Sequence, residues 1–206
     1  MPRPCCRLPD VTTLHEAPTR TKREGHIPGE PGLWIMLLGD MVVFAVFFGT
    51  IVVLRGRHPD LVAAAQPALH RGLGVTNTVV LLTSSLFVVN GVRLARLRDA
   101  RAPRLFLGAL ACAVIFAGIK AIEYTDLGTN GHGPGSNDFL TYYFVFTGIH
   151  LGHVVLGSVG LIVASRLSRP AHTGRHRESW LEGIACFWHL VDLLWIVLFA
   201  LLYLVH

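Results

Sequence analysis

Charge is the scarcest commodity in this chain. Only 15% of its 206 residues are Asp, Glu, Lys or Arg, where a soluble domain carries about 25%. That shortage excludes an ordinary water-soluble fold. Cysteine is sparse and unpatterned: Cys5 and Cys6 are adjacent, and Cys112 and Cys186 stand alone in apolar runs. Without a CxxC pair the chain has neither a zinc-ribbon nor a dithiol redox motif, and no structural disulfide is expected. The alternating segments of roughly ten residues that build membrane β-barrels are missing. Residues 1–32 lack the apolar core of a signal peptide and read as a flexible, polar, cytoplasmic tail. The basic residues do not gather in one domain, so the pI near 9.4 gives no nucleic-acid surface.

Apolar length is what the chain has in quantity. Hydrophobic residues make up 52% of it, gathered in five runs: Leu33–Leu54, Gly72–Ala95, Leu105–Tyr124, Leu140–Leu167 and Trp180–Val205. At 1.5 Å rise per residue, a helix of about 20 residues crosses a hydrocarbon core of roughly 30 Å. The expectation is an all-α polytopic membrane protein, a five-helix transmembrane bundle over residues 33–206. Five basic residues precede the first run, five surround the second connection and four lie in the fourth; the first connection has three and the third has none. The positive-inside rule then places the N-terminus in the cytoplasm and the C-terminus outside.

Ionisable side chains inside a bilayer are costly, so they turn inward and usually matter for function. Asp40 lies in the first run and Lys120 and Glu123 near the end of the third, where an ion pair on one helix is the simplest reading. His150 and His153 in the fourth run are three apart, as are His189 and Asp192 in the fifth. Asn77, Thr78, Ser84 and Ser85 in the second run, with Trp188 and Trp195 in the fifth, are candidate packing residues, since small hydroxyl side chains let membrane helices approach and hydrogen-bond. Two readings of the histidines stay open on spacing alone. They ligate haem or a metal, or they hydrogen-bond carboxylates and hold the helices together.

Two strings point to a family. Thr147-Gly-Ile-His150-Leu-Gly-His153-Val-Val-Leu-Gly157 and Phe187-Trp-His189-Leu-Val-Asp192-Leu-Leu-Trp195 resemble the signatures of subunit III of haem-copper oxidases. Asn77-Thr-Val-Val-Leu-Leu-Thr-Ser-Ser85 and Glu123-Tyr124 fall where that family has similar strings, and the resemblance covers about residues 30–206. Subunit III commonly has seven spans; this chain is similar to the last five. Pro28-Gly-Glu-Pro-Gly-Leu-Trp-Ile-Met-Leu-Leu-Gly-Asp40-Met leans toward the branch associated with nitric oxide reductase, and Gly39-Asp40 stands where oxidase members usually have Ser-Glu.

The resemblance implies a metal-free accessory subunit that binds catalytic subunit I, with subunit II in the same complex, in a bacterial plasma membrane. It implies bound phospholipid between the helices, support of proton uptake, and no catalysis by the chain itself. Asp40, Glu123, His150, His153, His189 and Asp192 would then serve an interhelical polar network or lipid head groups, with His189 and Asp192 turned toward the third and fourth spans. The alternatives are the nitric-oxide-reductase-associated branch and, from another class, an independent haem-binding membrane cytochrome. A transporter is disfavoured by the lack of an inverted repeat or broken-helix pair.

Overall fold

The computed structural model describes residues 31–60, 62, 69–131, 133–170 and 177–204. Apart from its last two positions, the expected N-terminal tail lies outside the described residues, as do Cys5 and Cys6. Five long helices account for most of what is described: α1 (Pro31–Arg57), α2 (Arg71–Arg96), α3 (Ala102–Thr129), α4 (Asp138–Leu167) and α5 (Arg177–Phe199), the last widening into a π-helical turn over Ala200–Leu204. Each is long and apolar enough to cross a bilayer. A spanning segment must satisfy its own backbone, which a helix does within itself.

The helix ends follow local chemistry. Asn137 caps α4 by accepting a hydrogen bond from the Phe139 amide at 2.9 Å, and Asp138 occupies its first turn. Pro103 sits in the first turn of α3, where a missing N–H costs nothing. Arg98 turns the chain between α2 and α3 with φ at +55°, a left-handed conformation uncommon outside glycine.

Helices α2, α3, α4 and α5 form a closed ring in which each packs against the next and α5 returns to α2. Helix α1 stands outside this ring, along α4 and α5. Its contact is aromatic: Phe44 is buried, and Phe47 stacks on Phe146 of α4 at 4.6 Å. The outer surface is apolar, with Ile35, Val42, Val79, Leu86, Val114, Ile122 and Val155 all exposed. In water such a surface would aggregate; in hydrocarbon it is the cheap arrangement, and polar groups move inside.

Close approach inside the ring depends on two positions without a side chain. A Cβ on Gly157 would lie 2.7 Å from the Trp188 ring, and one on Gly74 would lie 2.7 Å from Phe199. At the other end of the ring, the buried Arg177 guanidinium donates to the carbonyls of Leu167 at 2.8 Å and Ala95 at 2.9 Å. It therefore ties the C-terminal ends of α2 and α4 to the start of α5. Those ends carry unpaired carbonyls and partial negative charge, which a cation offsets.

Candidate functional site

The polar residues inside the ring are arranged in levels. Nearest the Asn137 end lies a closed network around Lys120, which is 1% exposed, and Glu123, which is fully buried. Lys120 Nζ donates to Glu123 Oε2 at 2.8 Å, to Tyr143 Oη at 2.9 Å and to Tyr203 Oη at 3.0 Å, using all three of its protons. Tyr203 Oη in turn donates to Glu123 Oε1 at 2.6 Å. The ammonium also faces the ring of Trp195 at 4.8 Å and that of Tyr143 at 5.0 Å. Three helices and the π-helical turn thus converge on one ion pair. Removing a charge from water is expensive, and only a full complement of partners makes this burial tolerable.

Below it, Trp195 is the hub. Its indole N–H donates to Thr78 Oγ1 at 3.1 Å, Phe116 meets it edge-on at 4.9 Å, and the His150 ring lies 5.4 Å from it. His150 is fully buried, yet neither ring nitrogen has a hydrogen-bond partner among the described residues. The same holds for both polar atoms of the Asn77 side chain. Ser85 adjoins Asp192 and is bonded to His189 Nδ1 at 2.6 Å, so its hydroxyl can accept from the imidazole while donating to the Asp192 carboxyl. One level further, Trp188 donates to Ser84 Oγ at 3.2 Å, which donates to the Ala109 carbonyl at 3.1 Å and so joins α5, α2 and α3.

A separate pair sits on the seam with α1. Asp40 Oδ1 lies 3.5 Å from His153 Nε2, both side chains about one-fifth exposed, and His153 Nδ1 donates to the Ile149 carbonyl at 2.9 Å. Close to this seam, where α1 and α5 begin and α4 ends, an apolar groove of about 470 Å³ opens between the three helices, lined by Leu33, Met36, Val159, Val163, Trp180 and Phe187.

Several placements differ from those the sequence suggests. His189 meets α2 through Ser85, not the third or fourth span. Glu123 forms the ion pair with Lys120 that their spacing suggests, and its further partner is Tyr203, not a histidine. His150 and His153, three apart on α4, diverge: one enters the ring against Trp195 and the other faces Asp40 and Phe44 of α1. Tyr124 is hydrogen-bonded to Thr147 of α4 at 2.6 Å. Tyr143, Tyr203 and Arg177 were not singled out from the sequence, although a hydroxyl or guanidinium in or beside an apolar run is itself a signal. Among the described residues no three His, Cys, Asp or Glu side chains are grouped so as to hold a metal.

Fold and site together define a class: a multi-pass helical membrane protein whose polar groups knit helices to one another. The family profile for cytochrome c oxidase subunit III matches residues 32–206, and the chain belongs to that family. It is 29% identical to cytochrome c oxidase subunit 3 of Thermostichus vulcanus over 174 residues, covering 84% of this chain and 85% of the relative. It is 28% identical to cytochrome bo(3) ubiquinol oxidase subunit 3 of Pseudomonas putida over 181 residues, 84% of each chain. A haem-copper oxidase subunit I+III of Aeropyrum pernix matches at 26% identity over 180 residues, 84% of this chain but 22% of that one. The chain is therefore an accessory subunit of a haem-copper oxidase, in a family that works with catalytic subunit I.

Proposed function

We propose that the chain braces the catalytic subunit of a respiratory oxidase that reduces O2, in a bacterial plasma membrane, with the α2–α3 and α4–α5 connections in the cytoplasm. The observation that carries this reading is the inward-facing network, joined to the family match. Histidines, carboxylates and tryptophans are placed in helix contacts, while the outer face offers lipid or a partner subunit a broad apolar surface. Fusion of subunits I and III in the Aeropyrum pernix relative supports subunit I as the partner. The catalytic partner would hold the haem and copper, and subunit II would complete the complex. The groove between α1, α4 and α5 suits a phospholipid acyl chain, being lined almost wholly by apolar side chains.

The basic residues of the α2–α3 and α4–α5 connections support the orientation. A periplasm-active reporter inserted at residues 98–103 should be silent, and one at residues 133–136 active. Native purification of the tagged chain should bring down a haem-copper catalytic subunit, identified by mass spectrometry, with haem stoichiometric to that partner. Recovery of the chain alone with its own Soret band would instead support the haem-binding cytochrome. Recovery with a nitric oxide reductase would move it to the branch toward which the string from Pro28 to Met41 leans.

A further inference from the structure

Asp192 is 4% exposed inside a membrane span, its carboxyl oxygens are enclosed, and no cation among the described residues pairs with it. Its partner is the Ser85 hydroxyl of α2, which also meets His189 Nδ1 at 2.6 Å. Serine, histidine and aspartate in contact suggest a hydrolytic triad, but such a triad holds the histidine between the other two. Here the serine stands in the middle, and both neighbours compete for its hydroxyl. That order suits passage of a proton, not attack on a substrate.

The Ser85 hydroxyl is free for this. Thr76, Thr78 and Thr83 on the same helix spend their protons on carbonyls one turn back. Ser85 has no such bond among the described residues, and its oxygen points across the α2–α5 contact. The far end of the chain lies open. His189 is half-buried, and its Nε2 has no partner among the described residues and is not enclosed. Leu82, Leu86 and Leu193 beside it face outward. One ring nitrogen therefore looks into the protein and the other toward whatever covers this seam.

Two proton arrangements satisfy all three groups. With the imidazole proton on Nδ1, His189 donates to Ser85 Oγ and Ser85 donates to an ionised Asp192. With that proton on Nε2, Ser85 donates to Nδ1 and a protonated Asp192 donates to Ser85. Adding one proton at Nε2 converts the first into the second. The Nδ1–H bond and the Ser85 O–H bond break, new O–H bonds form on Ser85 and on Asp192, and the histidine is left neutral. Every heavy atom stays in place.

We propose that His189, Ser85 and Asp192 form a proton relay that carries protons between the outer face of the α2–α5 seam and a carboxyl inside the ring. Histidine and carboxylate chains within a bilayer serve this purpose because their cost there is otherwise unrepaid. Asp192 has no onward partner among the described residues, so the relay fills and empties through the same port at Nε2. It is a reversible proton store, not a channel.

Infrared spectroscopy of the intact complex tests the relay. The protonated Asp192 carbonyl should give a band that shifts in heavy water and is missing from Asp192→Asn, which keeps the shape. After transfer from H2O to D2O, Ser85→Ala and His189→Leu should each slow the shift of that band at least several-fold. Ser85→Thr, which restores a hydroxyl, should recover most of the rate. A purely structural contact would lower the thermal stability of Ser85→Ala and leave the exchange rate unchanged, and that result would overturn the proposal. A second comparison needs no variant: the spectrum of the complete complex minus that of complex stripped of this chain. The absence there of any deuterium-sensitive carboxylic-acid band would overturn it equally.

Discussion

Tyr203 Oη donates to Glu123 Oε1 at 2.6 Å across 80 residues of sequence, and thereby closes the last helix onto the third. Tyr203 can reach because α5 ends in a π-helical turn over Ala200–Leu204, which changes the azimuth of the side chains that follow Phe199. The same hydroxyl accepts from Lys120 Nζ at 3.0 Å and completes that ammonium's partner set, which otherwise comprises Glu123 and Tyr143.

The first prediction follows from that network. Lys120→Met leaves Glu123 buried without its counter-ion, a change expected to destabilise by about 3–5 kcal/mol. Adding Glu123→Gln should recover part of the loss, since the uncompensated charge is then gone. Thermal unfolding of the detergent-solubilised complex compares the single and double variants. A double variant no more stable than Lys120→Met alone would show that the pair is not coupled.

A second prediction concerns close packing. Gly157→Ala places a methyl group 2.7 Å from the Trp188 ring and should destabilise by about 1–3 kcal/mol through overpacking. Gly148→Ala, on the same helix with no atom within 4 Å of the added Cβ, should be nearly silent. Thermal shifts of equal size for the two would contradict the interlock between α4 and α5.

The third prediction concerns Arg177. Its planar guanidinium reaches the Leu167 and Ala95 carbonyls at once through separate nitrogens. Arg177→Lys keeps the charge but cannot span both acceptors, so it should lose most of what Arg177→Met loses. Protection of the last turns of α2 and α4 in hydrogen exchange reads this out. Full protection in the lysine variant would mean that charge alone suffices.

Much of the architecture was legible in the sequence. The five spans follow from apolar length, and Arg93, Arg96 and Arg166 mark the helix ends they would be expected to mark. The partners within the ring were not legible, for a geometric reason. Residues three apart on a helix are rotated by about 60° from one another, enough to face different neighbours in a tight bundle. His150 and His153 show this, one against Phe116 and Trp195, the other against Asp40 and Phe44. The spacing of Lys120 and Glu123 did give their contact. Its burial came from Tyr143 and Tyr203, which lie 23 and 80 residues from their partners, a separation that local pattern does not cross. His189 was placed against the wrong helices because its ring meets α2 through Ser85, 104 residues away.

A fourth prediction tests that contact. With Ser85 Oγ 2.6 Å from His189 Nδ1, the two side chains point at each other across the α2–α5 interface. Paired cysteines at 85 and 189 should cross-link under mild oxidation, and paired cysteines at 82 and 189 should not, since Leu82 faces outward. Efficient linking of the second pair would require a different rotation of α2.

The central claim is that the subunit supports a catalytic partner and performs no redox chemistry itself. Oxygen consumption by membranes carrying the complex with and without this chain, followed through many turnovers, tests it most directly. The account predicts that the initial rate largely survives removal of the chain, while activity decays faster during sustained turnover and is rescued by adding the chain back. Complete loss of the initial rate in a complex whose catalytic subunit still carries its full haem content would contradict it.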